Sequence, residues 1–343
     1  MIYMSINYKN IELLSPAGNF ECAKAAVTAG ADAIYMGGAK YSARAYAKSA
    51  TDNSLVDSIK FVKSNNKKFY LTINTLFKQK ELKEIFLFLD PIVELGIDAF
   101  IVQDLGVAML LKEKYPKIEL HASTQMTITS SKAINLVSAF GFTQVVLSRE
   151  LSLKEIKGIK KEIGDEIKLE AFIHGSMCYC YSGACLMSSF IGGESGNRGR
   201  CKGPCRLPYS VVGAVTSKSF IKNDRRHLHS ANHLETGPYI ISMKDMCALN
   251  SLKGLIDAGV TSFKIEGRMR NANYVEGVTK TYRKYLDRIM MEDKNENNGK
   301  GYNITDDEKY LLNLYNKGGF TNYYDKHNSI DMIQRYERKN LSK

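Results

Sequence analysis

Short apolar runs alternate along this chain with longer segments whose apolar residues recur every three or four positions. The runs lie at 11–14 (IELL), 32–36 (DAIYM), 68–73 (KFYLTI), 98–102 (DAFIV), 118–121 (IELH), 144–147 (QVVL), 167–173 (IKLEAFI) and 262–265 (SFKI). They are rich in β-branched and aromatic residues and have the length of strands. The segments between them, such as NFECAKAAVTAGA and SSKAINLVSAFGF, carry helical spacing. Several units close on a small-residue turn before the next strand: AGADAIYM, LGIDAFIV, FGFTQVVL and AGVTSFKI. Eight strands separated by helices predict an α/β fold of the TIM-like (β/α)8 barrel type. An open doubly wound sheet is the competing architecture. Its G-x-G-x-x-G fingerprint is absent, and the first strand runs instead into SPAGNF.

Polar residues follow the predicted strands at positions a buried core would not choose. They are Ser15, Asn74, Gln103, Asp104, His121, Ser123, Gln125, Arg149, Glu150, His174, Glu266 and Arg268. Singly, each reads as a helix cap or a loop hydrogen bond. Together, in a barrel, they ring the mouth where active sites lie. Between the seventh and eighth strands falls an insertion, 175–260, expected over that mouth. The barrel is thus expected over 1–290, with 175–260 inserted, and a linker, short helix and tail over 291–343. A Thr-x-x-Glu capping box places the start of that helix at Thr305.

The length of 343 residues suits one large domain with an appendage. The opening MIYMSINYKNIELL lacks the basic start and apolar run of a signal peptide, and IFLFLDPIVELGIDAFIV is broken by Asp90, Pro91, Glu94 and Asp98. A cytoplasmic location is therefore expected, with no membrane span. Lys plus Arg total 48 against 36 Asp plus Glu, a net charge of +12. That balance suits a polyanion such as RNA, although stretches like KSNNKK also read as solvated surface.

Five of the seven cysteines, Cys178, Cys180, Cys185, Cys201 and Cys205, gather within about thirty residues. In a reducing compartment such a group binds metal or does chemistry more often than it forms disulfides. Cys178 and Cys185 are seven apart, so a helix would put both on one face and turn Cys180 away. Gly203-Pro204 makes a turn between Cys201 and Cys205. The C-x3-C pair fits zinc spacing and C-x6-C does not, which favours an iron–sulfur cluster over zinc. Cys22 reads as a small buried thiol on an apolar helix face. Arg198, Arg200, Lys202 and Arg206 stand beside the thiols with no acid between Glu194 and Arg206. With glycines at 196, 199 and 203 they read as an RNA contact.

These residues resemble peptidase family U32, the collagenase-like peptidases. The segments that carry the resemblance include ELLSPAGNFECAKAAVTAGADAIYMGG, LHASTQMTI, FIHGSMCYCYSGACLMSSFIGGESGNRGRCKGPCRLPY and FKIEGRMRNANYVEGV, and they extend over about 11–325. Within the family the cysteine motif looks most like the branches that hydroxylate a 23S rRNA cytidine or the wobble uridine of tRNA. The resemblance implies a TIM-like barrel with a [4Fe–4S] cluster on Cys178, Cys185, Cys201 and Cys205, with Cys247 as an alternative fourth ligand. It also implies prephenate as co-substrate for an oxygen-independent RNA hydroxylation. The ribosomal RNA branch continues beyond the point where this chain ends, so a partner subunit is expected if the chain is half of a split protein.

For such an enzyme, Arg44, Arg149 and Arg268, with Asn74 and Gln125, are the expected substrate-binding residues, because a dicarboxylate calls for guanidinium forks. His174 and Glu266 are the proton-transfer candidates. Two other classes compete. One is proteolysis, for which no G-x-S-x-G elbow or H-E-x-x-H helix is present. The other is a non-catalytic iron–sulfur RNA-binding or assembly factor.

Overall fold

A computed structural model describes residues 11–38, 40–43, 52–209, 239–292, 304–324 and 332–334. Among the described residues ten strands form one sheet: β1 (Glu12–Pro16), β2 (Ala33–Met36), β3 (Lys68–Ile73), β4 (Ala99–Val102), β5 (Glu119–Ala122), β6 (Gln144–Val146), β7 (Lys168–Ser176), β8 (Asp245–Cys247), β9 (Val260–Ile265) and β10 (Phe320–Thr321). Strands β1 to β7 pair in sequence order, all parallel, and β9 pairs in parallel with both β1 and β7. That last pairing closes an eight-stranded parallel barrel, and helices lie between its strands: the TIM-like (β/α)8 fold.

The helices begin where the sequence supplies caps. Asn19 accepts from the Cys22 backbone N–H, Asp104 from Val107 and Ser130 from Ala133, while Ser152 and Glu155 form a capping box. After the first helix, Phe20–Thr28, Gly30 takes φ 92°, a left-handed turn that glycine enters without strain before β2. Apolar helix faces and outward strand residues form one continuous core that includes Leu13, Ile34, Phe69, Phe100 and Phe263. Among the described residues no helix is long and apolar enough to cross a membrane.

The barrel interior is mixed. One layer holds Leu14, Ala33, Tyr35, Tyr70, Ala99 and Ile101. Beside it runs a polar network. Lys264 Nζ meets Glu170 Oε1 at 2.6 Å, Glu170 Oε2 accepts from Gln144, and Glu12 accepts from Tyr70 and Ser262. Buried polar groups need partners, and these carry their own.

Beyond the barrel rim, β7 continues to Ser176 and pairs antiparallel with β8, which in turn pairs with β10. The chain after the long helix Ala272–Glu292 is tied down as well. Helix Ile304–Leu314 begins one residue before the expected start; its Asp307 accepts from Lys284 and Tyr285, and Tyr324 donates to the Phe172 carbonyl. Much of the linker and tail, the segment TSKSFIKNDRRHLHSANHLETGP and Arg44 lie outside the described residues.

Candidate active site

At the end of the barrel where the strands finish, a pocket open toward solvent is walled by residues of several strands. Asn74, Ser123, Gln125, Arg149, Glu266 and Arg268 all line it, from the segments after β3, β5, β6 and β9. Tyr35, Phe172 and Lys264 complete the floor and were not singled out from sequence. They lie within strands, and alternation alone does not say which face of a strand looks up the barrel.

Arg268 is 7% exposed and Arg149 6%. Arg268 Nη1 donates to Ser42 Oγ and Thr72 Oγ1, each at 2.6 Å, and its guanidinium carbon lies 5.8 Å from the Tyr35 ring centre. Asn74 is held by the Ala43 N–H on its Oδ1 at 3.0 Å. Ser123 Oγ accepts from the Gln125 backbone N–H at 3.2 Å. Burial pushes the Lys264 ammonium pKa down, and Glu170 beneath it acts in the opposite sense. Two guanidinium groups, Arg149 and Arg268, therefore face the pocket with one acid, Glu266, while Lys264 is matched by Glu170. The chamber favours an anion, and a planar carboxylate suits its two guanidinium forks.

The cysteine segment packs beside this pocket. Residues 177–186 form bends and turns, so the helix that would align Cys178 with Cys185 does not exist. Cys180 lies near Cys185, and its thiol pKa is pushed up to about 11 by burial and then by Cys185, Cys178 and Cys205. The Cys205 thiol is raised by burial; Arg206 opposes this, and Cys178 and Cys201 add to it. The five thiols thus lie in one neighbourhood. Arg149 Nη2 donates to Cys178 Sγ at 3.2 Å, and the Gly203 N–H donates to Cys201 Sγ at 3.4 Å. Among the described residues no three His, Cys, Asp or Glu side chains are drawn together as a lone ion would need. The donor set is all thiol with N–H groups aimed at sulfur. An all-thiol donor set with N–H groups on its sulfurs is the kind of surroundings that an iron–sulfur cluster takes.

Gly183 explains how the segment seats. Its φ is +79°, and a Cβ there would stand 2.0 Å from the Gln125 carbonyl oxygen. The neighbouring Ser182 donates its N–H to Glu150 Oε1 at 2.7 Å, and its carbonyl accepts from Thr127. The thiol segment therefore lies directly on the loops after β5 and β6.

Other expected residues are placed elsewhere. His174 does not line the pocket. A register shift between Phe172 and His174 in the β7–β9 pairing turns it outward, where Nδ1 meets Tyr282 Oη at 3.2 Å. Complete burial pushes its pKa down to about 3, so it stays neutral at ordinary pH. Cys247 pairs in register with His174, is buried against Tyr282, and has its thiol pushed up to about 12 by burial. Cys22 is buried and donates to the Arg270 carbonyl.

The four-cation stretch also divides. Arg198 forms a bidentate pair with Glu81, at 2.8 and 2.5 Å, and Arg206 donates to Ser242 and to the carbonyls of Met243 and Met177. Both brace the segment against the barrel. Arg200, 3.7 Å from Glu194, and Lys202 are exposed.

The model of peptidase family U32 matches residues 18–334. The chain belongs to peptidase family U32. This U32 chain is 38% identical over 289 residues to the 23S rRNA 5-hydroxycytidine C2501 synthase of Escherichia coli, covering 84% of the chain and 41% of that protein. It is 35% identical over 318 residues to an uncharacterized protease of Methanocaldococcus jannaschii, covering 92% of the chain and 73% of that protein. It is 34% identical over 307 residues to tRNA hydroxylation protein P of Escherichia coli, covering 80% and 68%. The U32 chain thus spans less than half the length of the rRNA synthase it matches.

Proposed function

We propose that this protein hydroxylates an RNA base without molecular oxygen, using a [4Fe–4S] cluster on Cys178, Cys185, Cys201 and Cys205 and a prephenate-like dicarboxylate as co-substrate. The observation that carries the reading is the anion-favouring pocket at the barrel mouth, joined to the thiol segment by the Arg149–Cys178 contact. The names of two relatives, an rRNA hydroxycytidine synthase and a tRNA hydroxylation protein, support the RNA class of substrate.

The roles follow from position. Arg149 and Arg268 hold the carboxylates, Asn74 and Gln125 orient the ring between them, and Glu266 moves the proton at the reacting carbon or oxygen. When bound, the cluster supplies electrons or polarises a substrate oxygen. The exposed Arg200 and Lys202 meet RNA phosphates. His174 takes a positioning role, holding β7, β8 and Tyr282 together.

Proteolysis is the weaker reading. A hydrolytic nucleophile needs a base within bonding reach. Of the hydroxyls that line the pocket, those of Tyr35, Thr72 and Thr124 donate to the backbone carbonyls of Ile265, Met36 and Leu147 and not to a base.

The test pairs two measurements. Protein purified without oxygen is assayed for iron, sulfide and zinc, and RNA nucleosides from a deletion strain are compared by mass spectrometry before and after complementation. The expected result is about four irons per chain and one hydroxylated nucleoside restored by the wild-type gene. A colourless protein with one zinc, or an unchanged nucleoside profile, overturns the reading. Iron present with RNA unmodified favours a non-catalytic RNA-binding factor.

A further inference from the structure

Arg149 stands where the two halves of the site meet. Its Nε donates to Ser182 Oγ at 3.4 Å, its Nη1 to the Ser176 carbonyl at 3.1 Å and its Nη2 to Cys178 Sγ at 3.2 Å. All three acceptors lie at or beyond the end of β7, where the thiol segment begins. The guanidinium also lies 5.3 Å from the Phe172 ring centre and forms part of the pocket wall with Glu266 and Arg268. One rigid planar fork of five N–H donors is therefore committed both to sulfur and to the chamber where an anion would sit.

We propose that Arg149 is a coupling residue. A dicarboxylate in the pocket and the Cys178 sulfur share its guanidinium, so filling the pocket changes how readily the cluster takes an electron. This rests on the cluster reading above. A carboxylate binding the fork end-on turns it, and the N–H···S bond to Cys178 weakens. Hydrogen bonds to cluster sulfurs favour the more negative, reduced form. Losing one on anion binding lowers the reduction potential, and by linkage the reduced protein binds the anion more weakly. The cluster would then hold its electron least firmly when the co-substrate is in place.

The experiment uses the reconstituted full chain, with iron and sulfide counted first. Its reduction potential is measured by spectroelectrochemistry without anion and with saturating prephenate or malonate. The expected shift is downward by about 59 mV or more, which corresponds to a tenfold weaker anion affinity in the reduced state. Arg268→Lys should weaken anion binding yet keep the shift at saturation. Arg149→Lys keeps the charge but loses the fork, and should abolish it. Because Arg149→Lys also disturbs the bonds to Ser176 and Ser182, the wild-type protein carries a second readout. An exchangeable-proton coupling to the reduced cluster, seen by electron–nuclear double resonance, should weaken when the anion binds. An unchanged wild-type potential at saturation, an equal shift in Arg149→Lys, or an undiminished proton coupling overturns the proposal. A preparation that assembles no cluster overturns the functional reading first, and this inference with it.

Discussion

Replacing Lys264 by methionine tests the polar interior of the barrel. Lys264 Nζ lies 2.6 Å from Glu170 Oε1, with the two side chains 5% and 0% exposed. The ammonium also lies 4.4 Å from the Tyr35 ring centre, and Glu170 accepts from Gln144 and Ser262. At an effective dielectric constant of about 20, unit charges at that separation attract by about 6 kcal/mol. Much of this offsets the loss of hydration by both groups. Methionine keeps the length and most of the volume of lysine, so the change removes the cation with little cavity. A carboxylate is left buried with only neutral donors, at an expected cost of about 3–5 kcal/mol. Urea denaturation followed by circular dichroism reads the cost directly. The double variant Lys264→Met/Glu170→Gln, which removes both charges, should recover most of the loss. A single variant within about 1 kcal/mol of wild type, or a double variant no better than the single, would refute the reasoning.

Three further expectations follow from the same structure. Gly183→Ala places a methyl group against the Gln125 carbonyl at a positive φ, a backbone penalty of about 1–2 kcal/mol before the clash is counted; proteolysis between Cys178 and Cys205 should rise and iron loading fall while the barrel's unfolding midpoint holds, and an unchanged digest would contradict this. Arg198 holds the Glu81 carboxyl pKa down at about 2, so the clamp's contribution is complete above about 4.5 and is lost as pH falls toward 2. The stability gap between wild type and Glu81→Gln should close across that window, and a gap independent of pH would argue against the pairing. Reversing both Arg200 and Lys202 to Glu should weaken RNA binding and flatten its log–log salt slope by roughly 0.7–0.9 for each phosphate no longer neutralised, whereas unchanged affinity and slope would remove these residues from the RNA interface.

The barrel was legible because each of its eight strands is a run of apolar residues bounded by a turn. The two rim strands were not. β8 has three residues and β10 two, too few for any periodicity, and their pairing depends on β7 running past the barrel. Six mouth residues, Asn74, Ser123, Gln125, Arg149, Glu266 and Arg268, were readable because a polar side chain just after a strand has few other places to go. His174 sits at an equivalent sequence position yet faces away, since a register shift is decided by the neighbouring strand and not by the local sequence. The cations beside the cysteines looked unopposed because Glu81, which pairs with Arg198, is 117 positions away in the chain. The same distance problem hid Arg149's bond to Cys178 and the close approach of Gly183 to Gln125. Helical spacing between Cys178 and Cys185 misled for a different reason: the loop takes its shape from docking, through Ser182 and Gly183, and not from propensity.

The pairing of Ser176 with Asp245 has a consequence for chain length. It brings together the two ends of a 68-residue excursion, 177–244, and makes that excursion a closed loop anchored on the sheet. The entropy of closing such a loop grows only with the logarithm of its length, so doubling or halving it changes the cost by about 0.6 kcal/mol. The barrel is therefore nearly indifferent to how much chain is carried there. The pairing of Ser176 with Asp245, and not the length of chain between them, sets where the two ends stand against the rim above the pocket.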